Sequence, residues 1–115
     1  MNTELPCYVF AFSVDGPLNQ INARFLAHLE YDRFEVIGKM RMEDLLTGGS
    51  RIFYKTHFLP MLMMQERVDE MFLTFKSKSG NEFPVLMNLE LKKNKQEQLI
   101  QAVGLHIAKR NKFEK

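Results

Sequence analysis

The stretch that most constrains what this chain can fold into runs from Thr47 to Gln65, TGGSRIFYKTHFLPMLMMQ, because it is long and apolar on nearly every helical face. Ile52, Thr56, Leu59 and Met63 make one stripe, Phe53, His57, Met61 and Met64 a second, and Tyr54, Phe58 and Leu62 a third. From Ile52 onward only Lys55 and Gln65 clearly ask for water. A helix apolar all round needs cover on two sides, so it is expected between a sheet and other helices, or over a cavity. Ser50 is the expected N-cap. Pro60 cannot donate to the carbonyl of Thr56 and its ring crowds that turn, which predicts a kink or two shorter pieces.

After Gln65 the hydrophobic period changes from helical to alternating. Met71 to Lys76, Phe83 to Leu91 and Leu99 to Ile107 read as three strands of an antiparallel meander. Lys78-Ser79-Gly80-Asn81 makes the first turn and the charged segment Lys92 to Gln98 the second. Upstream, Tyr8 to Ser13 and Leu18 to Ile21 form a hairpin across Asp15-Gly16-Pro17. Asn22 is placed to cap a helix bearing Phe25, Leu26 and Leu29, and Asp32 to cap a short turn ending at Gly38. Met42 to Leu46 adds a single turn. The expected architecture is α+β: a five-stranded antiparallel sheet with short helices and one longer helix on one face.

At 115 residues the chain is one domain, with enough apolar material (45% hydrophobic) for a single modest core. A net charge of +2 without a clustered basic face gives no reason to expect a nucleic-acid partner. One cysteine, Cys7, excludes an intramolecular disulfide and a cysteine-built zinc site, which points to a reducing compartment; the cytoplasm is the default expectation. The N-terminus Met-Asn-Thr-Glu lacks a basic leader, and the run Cys7 to Val14 is too short to span a bilayer, so no membrane insertion is expected of this segment.

Five short motifs, in order, give this layout a family likeness. Asp15-Gly16, Ile21-Asn22 and Phe25 come first; Tyr31 with Glu35-Val36-Ile37-Gly38 resembles "GYxxEELIG"; Asp44-Leu45-Leu46 resembles "DLL". Lys78 to Val85 resembles "KDGxxFPV", and His106 to Glu114 resembles "DITERKKFE". Together they resemble a PAS (Per-Arnt-Sim) sensory domain across essentially the whole chain, with a weaker likeness of Asp44 to Met64 to the bacterial subset found ahead of histidine kinases and sporulation-type serine phosphatases. Three departures stand out: Glu30 where Gly is usual, Ser79 for the turn Asp, and His106 with Ala108 for the Asp and Thr of "DIT". The resemblance implies a sensory domain over residues 1–108 and the start of an exit helix or linker over 109–115. It also implies a homodimer and a fused or separate kinase or phosphatase output domain.

Members of that family bind haem, flavin, small metabolites or nothing between sheet and helices. Phe53, Tyr54, His57 and Met61 are the expected cavity wall here, with Met87 and Leu89 opposite. The methionines Met61, Met63, Met64, Met71 and Met87 read first as core filler, and their plasticity also suits an apolar guest. The cofactor stays open. The resemblance disfavours cysteinyl-flavin photochemistry, since its Asn-Cys motif is missing and Cys7 lies in the first strand. Non-covalent flavin needs only a cavity and amide partners. Haem has an imidazole in His57, but oxygen-sensing members carry theirs nearer the position of Arg51, so packing with a bond to a carbonyl freed by Pro60 is the expected role of His57.

Gly48-Gly49-Ser50 lacks the Lys of a phosphate loop, and His28, His57 and His106 share no metal-ligand spacing. No Ser, Cys or carboxylate stands in a catalytic pattern, so a non-enzymatic module is expected. The competing classes are a small hotdog-type thioesterase, which needs a catalytic carboxylate on the long helix, and a ligand-free dimerisation scaffold.

Overall fold

The computed structural model describes residues 7–107. Five strands form one antiparallel sheet: β1 (Tyr8–Ser13), β2 (Leu18–Ile21), β3 (Arg67–Lys76), β4 (Glu82–Lys93) and β5 (Gln98–His106), in the order β2-β1-β5-β4-β3. The meander is as the alternation requires. Phe83, Val85, Met87, Leu89 and Leu91 of β4 are all buried on the inner face, and in register with them stand Met71, Leu73 and Phe75 of β3. β5 also pairs with β1, from Tyr8 opposite Gly104 to Ser13 opposite Leu99, which places the first hairpin beside the last strand. At Gly104 any side chain is excluded, since a Cβ there would lie 2.7 Å from Val85 Cγ1 and 3.0 Å from Met87 Cγ.

All helices cover the inner face. Asn22 caps α1 (Ala23–Leu29), and its side chain does three things at once. Its Oδ1 accepts from Val9 N at 3.0 Å and Phe25 N at 3.4 Å, while its Nδ2 donates to the Cys7 carbonyl at 2.9 Å. The cap therefore ties α1 to β1 as well as ending it. Asp32 and Glu35 form a capping box on α2 (Arg33–Val36), and Gly38 follows with φ 76. A 3₁₀ turn at Met42–Leu45 leads to the long helix, in three parts: α3 (Gly48–Phe53), a π-helical turn (Tyr54–Phe58) and α4 (Leu59–Gln65).

Two sequence expectations about this segment are corrected. The N-cap is Thr47, whose Oγ1 accepts from Ser50 N, so Gly48 and Gly49 start the helix instead of preceding it. Ser50 is engaged elsewhere, its Oγ accepting the amide of Thr74 at 2.9 Å, and Thr47 N donates to the Thr74 carbonyl at 3.0 Å. These bonds, with the Leu46–Phe75 bridge, cover the outer edge of β3 at Thr74 and Phe75. The helix is also covered on one side only. Tyr54 and Leu62 are buried, but Ile52 is 65% exposed and Met64 83%.

Finally, β3 starts at Arg67, four residues before the expected strand, because a bulge between Val68 and Met71 interrupts the alternation. Glu70 takes φ 58 there, with its amide donating to Asn88 Oδ1 at 2.7 Å.

Candidate functional site

The six residues expected to line a cavity divide between two environments. Met87 and Leu89 are buried in β4, Tyr54 is buried on the facing helix, and Met61 is half-buried against the same core. These four belong to, or pack against, the single core between sheet and helices. Phe53 and His57 do not join them: both are exposed, and their rings stack on each other with centroids 5.0 Å apart and planes 12° from parallel. Phe58 stands edge-on to both, at 4.9 Å from Phe53 and 5.4 Å from His57.

The helix geometry explains this split. In the turn Tyr54–Phe58 the amide of Leu59 reaches back five residues to the Tyr54 carbonyl, widening the helix just ahead of Pro60. Thr56, not His57, supplies the side-chain bond to a helix carbonyl, its Oγ1 donating to Ile52 O at 2.8 Å. Phe53 and His57, four residues apart, share one helical face, and it is the neighbouring face, carrying Tyr54, that meets the sheet.

Tyr54 reaches a small space shared with Phe12, Val14, Met42 and Leu59, with Glu43 and Arg41 at its rim. That space is about 20 Å³, room for one water molecule. Burial, with the Glu43 charge second, pushes the Tyr54 phenol up, so the hydroxyl is a neutral donor there. Glu43 is held in place by Lys55 Nζ at 3.4 Å, while Arg51 Nε donates to its backbone carbonyl at 3.1 Å.

A second concavity lies elsewhere and had no signal in the sequence. His28 of α1 and His106 at the end of β5 are 78 positions apart (106 − 28) yet have ring centroids 6.2 Å apart. Phe83 lies edge-on to both rings, at 6.5 Å from His28 and 5.4 Å from His106. Beneath them the Tyr8 hydroxyl is hydrogen-bonded to His28 Nδ1, and Tyr8 stacks on Phe25 at 4.4 Å. Burial pushes the Tyr8 phenol up to about 12, against a smaller opposing effect of Arg24. The groove these side chains border has a volume of about 510 Å³. Only folding brings β5 against α1, so spacing along the chain could not reveal it. Among the described residues, no group of three or more His, Cys, Asp or Glu is placed to hold a metal ion.

The outer face of the sheet carries an apolar row. Phe72, Leu86 and Leu105 are opposite one another across β3, β4 and β5; Phe72 is 52% exposed and Leu105 48%. Val103 adds to the patch on β5. No helix among the described residues is long and apolar enough to cross a membrane. The expected exit segment, 109–115, lies outside the described residues.

No family model matches the chain. Over 111 residues it is 28% identical to the phosphoserine phosphatase RsbP of Bacillus subtilis, a match covering 96% of this chain and 27% of that protein. The chain thus spans about a quarter of the length of the curated relative it matches. A PAS domain from a two-component sensor histidine kinase superposes with TM-score 0.75 at 14% identity, over 90% of this chain and 86% of that one. The PAS domain of an HTR-like protein from Haloarcula marismortui gives TM-score 0.72 at 22% identity, over 89% and 82%. Strand order, inner-face helices and these superpositions agree, and the chain has the fold of a PAS domain.

Proposed function

We propose that this chain is the signal-sensing module of a signal transduction protein. It reads occupancy of the space between sheet and long helix and passes the change to whatever follows β5. The observation that carries the reading is the match to RsbP along almost the whole chain, on a fold shared with the sensor domain of a histidine kinase. The chemistry in that relative's name is not assigned to these residues; a phosphatase or kinase output, fused or separate, is the proposed recipient.

The proposed site is Tyr54, Met61, Met87 and Leu89, with Phe53 and His57 on the outer side of the same helix. Three features support it. The helix is anchored by few buried side chains, a π-turn interrupts it, and methionines line it. Shifting that turn by one residue would withdraw Tyr54 from the core and enlarge the water-sized space beside it. The thioesterase alternative needs a carboxylate on the long helix, and Gly48 to Gln65 contains none.

A native mass spectrum and an absorbance spectrum of freshly purified protein test the reading. Added mass that is released on unfolding supports it. Bare chain alone, both as purified and after incubation with a small-molecule extract, overturns the cavity and favours a ligand-free scaffold. The outer-face row Phe72–Leu86–Leu105 is the specific support for that second reading, since scaffolds of this kind act through a paired face.

A further inference from the structure

The groove beside α1 is chemically unlike the space under the long helix. Its floor and walls are the Phe83 ring and the imidazoles of His28 and His106. Two carboxylates, Glu30 and Glu82, stand at its border with the Asn81 amide, and no lysine or arginine lines it. A smaller cleft of about 240 Å³, which includes Arg24 and Tyr8, adjoins it at the two histidines. From these residues we infer that the groove binds a small organic cation, an amine carried on an apolar body.

Five observations support that chemistry. At about 510 Å³ the groove has the size of a small-molecule site. Ring faces and edges meeting at 5.4–6.5 Å offer an apolar body several aromatic surfaces and an ammonium group their electron-rich faces. Glu30 is fixed, not floppy: its Oε1 accepts the amide of Ser79 at 3.1 Å, so the carboxylate costs little entropy to use. The Ser79 side chain first, and its amide second, hold the Glu30 carboxyl below its usual range, so it is charged when an amine arrives. Tyr8 steadies His28 from below, which keeps that wall in place. The inference is independent of the reading proposed for the long helix, since the two sites share no residue.

Titration of the ¹⁵N-labelled 115-residue chain with phenethylammonium, followed by amide shifts, tests it. The amine is expected to move the resonances of Ala27, His28, Glu82, Phe83 and His106, with 3-phenylpropionate, of similar shape but opposite charge, leaving them still. Glu82→Gln, at an exposed position, is expected to weaken amine binding about tenfold, and Glu30→Gln by a similar factor. Met64→Gln, on the far helix, is the control and leaves the affinity unchanged. Equal binding of the carboxylate, shifts centred on Tyr54 and Met87 instead, or unaltered affinity in Glu82→Gln would each overturn the assignment.

Discussion

Glu30 ends α1 with φ 67, a left-handed conformation that costs a residue with a side chain about 1–2 kcal/mol. The family pattern that the sequence resembles has glycine at that point, and the backbone shows why: the chain reverses there so that Tyr31 N bonds back to Leu26 O at 3.3 Å. Glu30→Gly and Glu30→Ala both lose the bond to Ser79, so the difference between them isolates the backbone. Urea unfolding is expected to find the glycine variant more stable than the alanine variant by about 1 kcal/mol. Equal stabilities would mean that the strain is absorbed elsewhere. A second residue pair reports through pH. Lys78 Nζ lies 2.7 Å from Glu35 Oε2; this bond, followed by one from the Asp32 amide, holds the Glu35 carboxyl below its ordinary 4.5. The same bond raises Lys78 above 10.5. A carboxyl lowered on folding contributes stability above its unfolded value and loses it as pH falls through the folded one. A lysine raised on folding contributes below 10.5 and loses the contribution as pH climbs past it. The Tm gap between the native chain and Glu35→Gln is therefore expected to be present at neutral pH and to close as pH falls below the ordinary carboxyl value of 4.5. A gap that stays constant across that range rules the contact out as the source.

Among the elements, the strands were readable because alternation has one solution: with Phe83, Val85 and Met87 inside, the intervening residues must face out. The long helix was not, because residues apolar on every face carry no information about which face the sheet will take. The sheet offers a single surface, so only Tyr54 and Leu62 are fully covered and the rest of the apolar excess is left outside. Leu62→Ala is expected to cost about 2–4 kcal/mol, whereas Ile52→Gln and Met64→Gln stay within about 0.5 kcal/mol. Chemical denaturation of the three variants checks this. A large loss in either glutamine variant would show that the outer stripe is covered by a partner or a second copy. The Thr47 cap was missed for a related reason: Thr47 and Ser50 are both good capping types, and the choice fell to Thr74, which needs the Ser50 hydroxyl for its own amide.

At the scale of the whole molecule, the outer sheet face presents apolar surface that none of the described helices covers. Phe72, Leu86 and Leu105 align across three strands, and Phe72 and Leu105 are exposed there, a cost that pairing of two sheets removes. Light scattering after size exclusion is expected to show a dimer for the native chain and a monomer for Phe72→Glu with Leu105→Glu; a native monomer at high concentration contradicts it. The sequence by itself determined the order of elements, the β4 core face, the Asn22 cap and the resemblance to a PAS domain, since each depends on neighbours within a few residues. Tertiary structure alone decided which side of the long helix is buried and that Phe53 and His57 stack outside. It alone brought His28, Phe83 and His106 together. Those outcomes depend on which surfaces meet across the chain, and side-chain periodicity encodes a face without naming its partner.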